Sequence, residues 1–176
     1  MKIKRAVIII LILFFSSLCI SNQKVTKIFF VRHAEKALNI KKDPPLNEKG
    51  IERANELAYI MQKIEFADFF STPYKRTVDT LKPLADSKNK KIIRYNPGEM
   101  KVFLKRILKD YKGKTVIISG HSNTVPQMLN FLLNKQKFQA MDDSTYDNLF
   151  LVCAGSIGDI EVVNLKFGAH TPYPDK

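Results

Sequence analysis

Residues 25–33, VTKIFFVRH, decide the fold. Apart from Lys27 the first seven are β-branched, aromatic or aliphatic, the composition of a buried strand, and that strand delivers Arg32 and His33 at its carboxyl end. From here onward strand and helix alternate. After the polar, Pro-containing stretch 41–45, Asn47 can cap a helix whose residues Ile51, Ala54, Leu57, Ala58 and Met61 fall on one face. A second strand over 66–71 runs into Thr72-Pro73, and a helix over about 74–85 carries Arg76 in its first turn. Ile92 and Ile93 mark a third strand. The next helix shows an apolar stripe of Met100, Phe103, Leu104, Ile107, Leu108 and Tyr111, closed by Gly113. Residues 115–119, TVIIS, form a fourth strand ending at Gly120-His121, before a helix with Val125, Met128, Leu129, Leu132 and Leu133 and with Pro126 in its first turn. Residues 148–153 and 159–165, joined by Gly155-Ser156-Ile157-Gly158, read as a hairpin. The series predicts an α/β three-layer sandwich with a mainly parallel central sheet and an antiparallel edge.

The chain has 176 residues, 45% hydrophobic and 26% charged, enough for one ordinary globular domain and not two. Cys19 and Cys153 cannot form a disulfide framework or a four-cysteine zinc site. The N-terminus differs in kind. Lys2, Lys4 and Arg5 precede an apolar run over 6–15, followed by Ser16, Ser17, Cys19 and Ser21, the plan of a secretory signal peptide spanning 1–21. Cleavage after Ser21 leaves a domain over 22–176, exported to a periplasmic or extracellular space. The alternatives are a retained membrane anchor, for which the run falls short of the roughly 20 residues that span a bilayer, and acylation at Cys19, where Leu18 is bulky for a lipoprotein signal. Membrane contact is then expected through this segment only, and transiently.

The net charge of +12 falls to +9 without Lys2, Lys4 and Arg5. So basic a chain suits nucleic acid, an anionic envelope surface or a phosphorylated substrate. Its lysines are scattered and no nucleic-acid motif accompanies them, so nucleic acid is not an expected partner.

Ligands of such sheets bind outside the carboxyl ends of the strands. Three strand ends here carry Arg32-His33, Ser71 leading to Arg76, and His121. Two guanidinium forks make a phosphate pocket and stabilise a transferring phosphoryl group. The helix N-termini after Pro73 and His121 add N–H donors, and a neutral imidazole can take the phosphoryl group covalently. This chemistry requires neither metal nor cofactor. A metallohydrolase would need three grouped ligands, and the histidines are only His33, His121 and His170; the G-x-S-x-G elbow and the G-x-x-x-x-G-K-[ST] loop are absent from the sequence.

Residues 31–36 (VRHAEK), 71–80 (STPYKRTVDT) and 119–122 (SGHS) resemble the ordered motifs of the histidine phosphatase superfamily, also called phosphoglycerate-mutase-like, and 45–50 (PLNEKG) resembles that family's approach to its first helix. The resemblance extends over 25–167. It implies a phosphoglycerate-mutase-like fold, His33 as the nucleophile that becomes phosphohistidine, Arg32 and Arg76 as the phosphate clamp, and His121 on the opposite side of the phosphate. Glu35 and Ser122, beside the motif histidines, are assigned with the arginines to substrate binding. Ala34 departs from the glycine that many members carry there.

A leaving alkoxide needs a general acid. Glu99 stands where larger members supply a glutamate, Glu35 and Asp43 are nearer the nucleophile in sequence, and the competing reading of Glu99 is a carboxylate favoured by a helix N-terminus. Short segments after each motif imply the small, capless branch, with an open crevice for a small phosphorylated substrate or a phosphate on a macromolecule. The resulting expectation is an exported phosphatase acting on phosphomonoesters or phosphoramidates. A phosphate-binding module without turnover and a phosphomutase are the alternatives.

Overall fold

The computed structural model describes residues 24–155 and 159–171. Residues 1–21, read from the sequence as a signal peptide, and residues 156–158 of the link between the last two strands lie outside the described residues.

Six strands form one sheet: β1 (Thr26–Arg32), β2 (Asp68–Ser71), β3 (Ile92–Arg94), β4 (Thr115–Gly120), β5 (Asn148–Ala154) and β6 (Ile160–Lys166). Their order is β3-β2-β4-β1-β5-β6. The first four run parallel, and β5 and β6 form an antiparallel edge. Helices α1 (Glu48–Met61) and α2 (Lys75–Ser87) cover one face, and α3 (Met100–Asp110) and α4 (Thr124–Leu133) the other.

The alternation within β1 builds both interfaces. Ile28 and Phe30 enter the cluster with Leu104, Ile107, Val125 and Met128, while Phe29 and Val31 enter the one with Leu57, Leu81 and Leu84. The three-layer sandwich expected from the sequence is the one observed.

Register places the site. Arg32 pairs with Gly120 and Ser71 with Ser119, so the carboxyl ends of β1, β2 and β4 lie level at one edge. The chain after β1 is then locked to α1: Lys36 bridges Leu46, Asn47 N–H donates to the Glu35 carbonyl, and the Asn47 side chain caps α1 by accepting from Gly50 N–H. Gly50 is required there, since a Cβ would lie 2.2 Å from the Glu35 carbonyl oxygen.

The predicted apolar face of α1 holds at Ala54, Leu57, Met61 and half-buried Ala58, and departs from prediction at Ile51. Ile51 is 53% exposed, and Gly50, Arg53, Ala54, Leu57 and Met61 are buried. An arginine occupies the inward position because a carboxylate waits for it.

Candidate active site

The histidine after β1 is fixed by its backbone and its ring. His33 N–H donates to the Gly120 carbonyl (2.9 Å), and Nδ1 lies 2.8 Å from the Ala34 carbonyl oxygen. A carbonyl only accepts, so Nδ1 carries the proton and Nε2 keeps its lone pair. The ring is 4% exposed. Burial first, then the guanidinium groups of Arg32 and Arg76 and the second imidazole, hold its pKa down to about 3 against the raising effect of the Ala34 bond. His33 is therefore neutral at physiological pH.

His121 faces it, ring centroids 5.5 Å apart. Its N–H donates to Thr124 Oγ1 and its carbonyl accepts from Val125 N–H, so it begins the first turn leading into α4, with Thr124 reaching back as in a capping box. Gly120 admits this turn: a Cβ there would meet Thr124 Oγ1 at 2.9 Å. The tautomer follows from the hydroxyls behind the ring. Thr77 Oγ1 donates to backbone carbonyls at 2.8 or 3.1 Å, so Thr72 donates to Thr77 (2.7 Å) and accepts from His121 Nε2–H (3.0 Å). Nδ1 is left toward Arg76 Nη2, 3.4 Å away. Burial, then Arg76 and Arg32, lower the His121 pKa to about 4.

The arginines are braced from outside the pocket. Arg32, 2% exposed, donates through Nη1 to the carbonyls of Asp142 (2.6 Å) and Thr145 (2.8 Å) and through Nη2 to that of Asp143, and it lies 4.2 Å over the Tyr146 ring. Burial lowers its pKa, and Tyr146 and the acids Asp143, Asp142 and Glu35 oppose that shift. Arg76 lies 4.7 Å over the Tyr74 ring. The Nε–H groups of both arginines are buried without a hydrogen-bond partner among the described residues, as is Ser119 Oγ. Two guanidinium groups, buried donors left unmatched and two neutral imidazoles make a site suited to an anion.

The structure thus brings Arg32, His33, Arg76 and His121 together as the motifs imply. Ser122 adjoins His121, half-buried, its carbonyl accepting from Met141 N–H. Two residues assigned from the sequence stand elsewhere. Both Glu35 oxygens accept from buried Arg53, Oε1 at 2.7 Å from Nη2 and Oε2 at 2.9 Å from Nε, and Arg53 also donates to the Phe167 and Ala169 carbonyls. Glu35 therefore fastens the C-terminal segment behind the motif. Glu99 is exposed, in a groove of about 220 Å³ with Arg94, Tyr95, Val102 and Arg106, because the 3₁₀ turn Pro97–Glu99 carries the chain away toward α3. None of the four pocket residues lines that groove.

Sequence reasoning missed Thr72, Thr77, Tyr74, Tyr146 and the carbonyls of 142–145. The first three lie inside a motif that had already been singled out. The others lie in the stretch after α4, where no periodicity marks a role.

The family model for the histidine phosphatase superfamily (branch 1) matches residues 28–97, which include Arg32, His33 and Arg76. A curated relative, the 2,3-bisphosphoglycerate-dependent phosphoglycerate mutase of Thermoplasma acidophilum, is 34% identical over 70 residues, 36% of this chain and only 35% of the mutase. Among solved structures, the protein histidine phosphatase SixA complexed with tungstate superposes with a TM-score of 0.65 at 18% identity, covering 80% of this chain and 96% of that one. Phosphoserine phosphatase of Entamoeba histolytica, in complex with 3-phosphoglyceric acid, gives 0.64 at 17% identity, covering 82% and 98%. These structural likenesses establish the fold as that of the histidine phosphatases and phosphoglycerate mutases, and residues 28–97, with Arg32, His33 and Arg76 at their strand ends, are similar to the histidine phosphatase superfamily (branch 1).

Proposed function

We propose that this chain is an exported phosphatase that hydrolyses phosphomonoesters or phosphoramidates through a covalent phosphohistidine on His33. The observation that carries the reading is the His33 ring: its proton is committed to the Ala34 carbonyl, and its free Nε2 sits beside two arginines with unmatched donors. In the first step Nε2 forms a bond to phosphorus as the bond to the leaving group breaks. In the second, water forms a bond to phosphorus, the P–N bond breaks, and inorganic phosphate departs as His33 regains its lone pair. Arg32 and Arg76 stabilise the equatorial oxygens in both steps.

Neither glutamate assigned from the sequence stands ready to protonate the leaving group. Glu35 is occupied by Arg53, and Glu99 lines another groove. This favours leaving groups that depart with little assistance, as in aryl phosphates, or that carry their own proton, as in phosphoramidates. The export part of the reading rests on the sequence of residues 1–21 alone.

Release of phosphate from an aryl phosphate and from a phosphoramidate, in the presence of chelator, tests the proposal. Turnover is expected from the wild type, and His33→Ala should lose at least about 10³-fold. Phosphate or vanadate binding without turnover would favour a binding module, and transfer between glycerate positions in place of release would favour a mutase.

A further inference from the structure

The parallel sheet has two ends, and the pocket uses only one. At the other lie Lys24, before β1, and the connections α1–β2, α2–β3 and α3–β4. The α1–β2 connection sets Lys63 near Glu65; the α2–β3 connection holds Lys88, Lys90 and Lys91 with no acid, and the α3–β4 connection holds Lys112 and Lys114 with no acid. They form one continuous surface. Ala67 N–H donates to the Thr115 carbonyl, Lys90 Nζ to the Ala67 carbonyl and Lys27 N–H to the Lys114 carbonyl, and the Lys24 side chain lies against Gly113. Lys24, Lys63, Lys90, Lys91, Lys112 and Lys114 are exposed. Opposing them are exposed Glu65, which pairs with Lys88, and exposed Asp110, Asp159 and Glu161, while Asp68 accepts from the Tyr111 hydroxyl. At the crevice end acids are interspersed with the bases outside the pocket, Asp43, Glu99, Asp142 and Asp143 standing among Lys36, Lys41, Lys42, Lys75 and Arg94.

Lys24 is also where the domain meets the N-terminal sequence. The apolar run 6–15 is separated from it by residues 16–23, which reach at most about 30 Å when fully extended. In the retained-anchor alternative, a bilayer holding that run keeps the lysine end, and not the crevice, nearest to it. An apolar segment and a basic patch are the two weak signals that together hold a protein on an anionic membrane.

We infer that the lysine-rich end of the sheet, around Lys24, Lys63, Lys91 and Lys112, docks on an anionic lipid surface, with the His33 crevice facing away from it. Each lysine close to such a surface contributes roughly fivefold in binding. The interaction weakens as salt shortens the screening length.

The test is co-sedimentation of the full chain with vesicles of phosphatidylcholine alone or mixed with phosphatidylglycerol, beside a Lys63→Gln, Lys91→Gln, Lys112→Gln triple variant. These positions are exposed, far from the pocket, and their substitution should leave aryl phosphate hydrolysis unchanged. Binding should be tighter to anionic than to neutral vesicles and should decline between low and physiological salt. The triple variant should lose about 100-fold of the anionic preference, and vesicle-bound wild type should turn over a soluble substrate at its free rate. Equal binding to both vesicles, an undiminished preference in the triple variant, or inhibition by anionic vesicles would overturn the inference. A stronger preference for DNA than for vesicles at equal salt would assign the surface to a polyanion instead.

Discussion

Two arginine clusters flank the segment that carries His33, with Arg53 and Arg32 buried and Arg76 half-buried, and they are finished differently. Arg53 spends its donors on Glu35, Phe167 and Ala169, with its charge balanced by a carboxylate that is itself only 14% exposed. Arg32 and Arg76 are braced by carbonyls and aromatic rings, yet each keeps an unmatched Nε–H, and the acid beside Arg32, Asp143, is 92% exposed. A buried cation with its counter-ion built in holds structure together. A buried cation without one is a place for an anionic ligand, and the stability given up there is the condition for binding.

The sharpest way to break this comparison is to truncate both kinds of arginine. Arg76→Ala should lower kcat/KM by about 10²- to 10³-fold with little change in Tm, because it removes charge stabilisation in the transition state. Arg53→Met should do the reverse. It leaves Glu35 buried and unpaired, costing about 3–5 kcal/mol of unfolding free energy, while kcat in the folded fraction stays within about tenfold. Equal loss of stability in both variants, measured by denaturant unfolding, would erase the distinction.

Proton linkage sharpens it next. The folded-state values of His33 and His121, about 3 and about 4, lie below the ordinary 6.5, so between those limits the unfolded chain binds more protons than the folded one. The histidine contribution to stability is thus fully present above about pH 6.5 and is lost as pH falls toward 4 and then 3. An anion in the pocket offsets the arginines and raises both values. Vanadate binding near pH 6 should therefore take up protons, visible as a buffer-dependent heat in calorimetry, and should protect against acid unfolding. Absence of uptake would mean that the arginines alone neutralise the ligand.

Smaller effects probe the edges. Thr72→Val removes the acceptor that fixes the His121 tautomer and should cost about tenfold in kcat with a shifted acidic limb. Glu99→Gln should change kcat less than about twofold at any pH between 5 and 8. A larger fall, or loss of the basic limb, would return Glu99 to the chemistry.

Much of this was legible beforehand. The strands announce themselves because β1 and β4 are packed on both faces, and their carboxyl ends carry the residues that chemistry needs. Residue type and order sufficed for Arg32, His33, Arg76 and His121. The pairing of Glu35 with Arg53 was not legible because Arg53 lies on α1, where it faces inward while Ile51 faces water. The placement of Glu99 in another groove was not legible because a single 3₁₀ turn directs it there. The brace on Arg32 was invisible, since backbone carbonyls of 142–145 leave no side-chain signature.

The central claim is that the unmatched cationic pocket serves a covalent transfer to His33. Rapid acid-free quenching of the enzyme during turnover of a ³²P-labelled aryl phosphate, followed by peptide mapping, tests it directly. The account predicts an acid-labile, alkali-stable label on the peptide containing His33, formed and discharged at rates compatible with kcat, and absent from His33→Ala. Full turnover with no phosphoenzyme, or label that persists in His33→Ala, would contradict it.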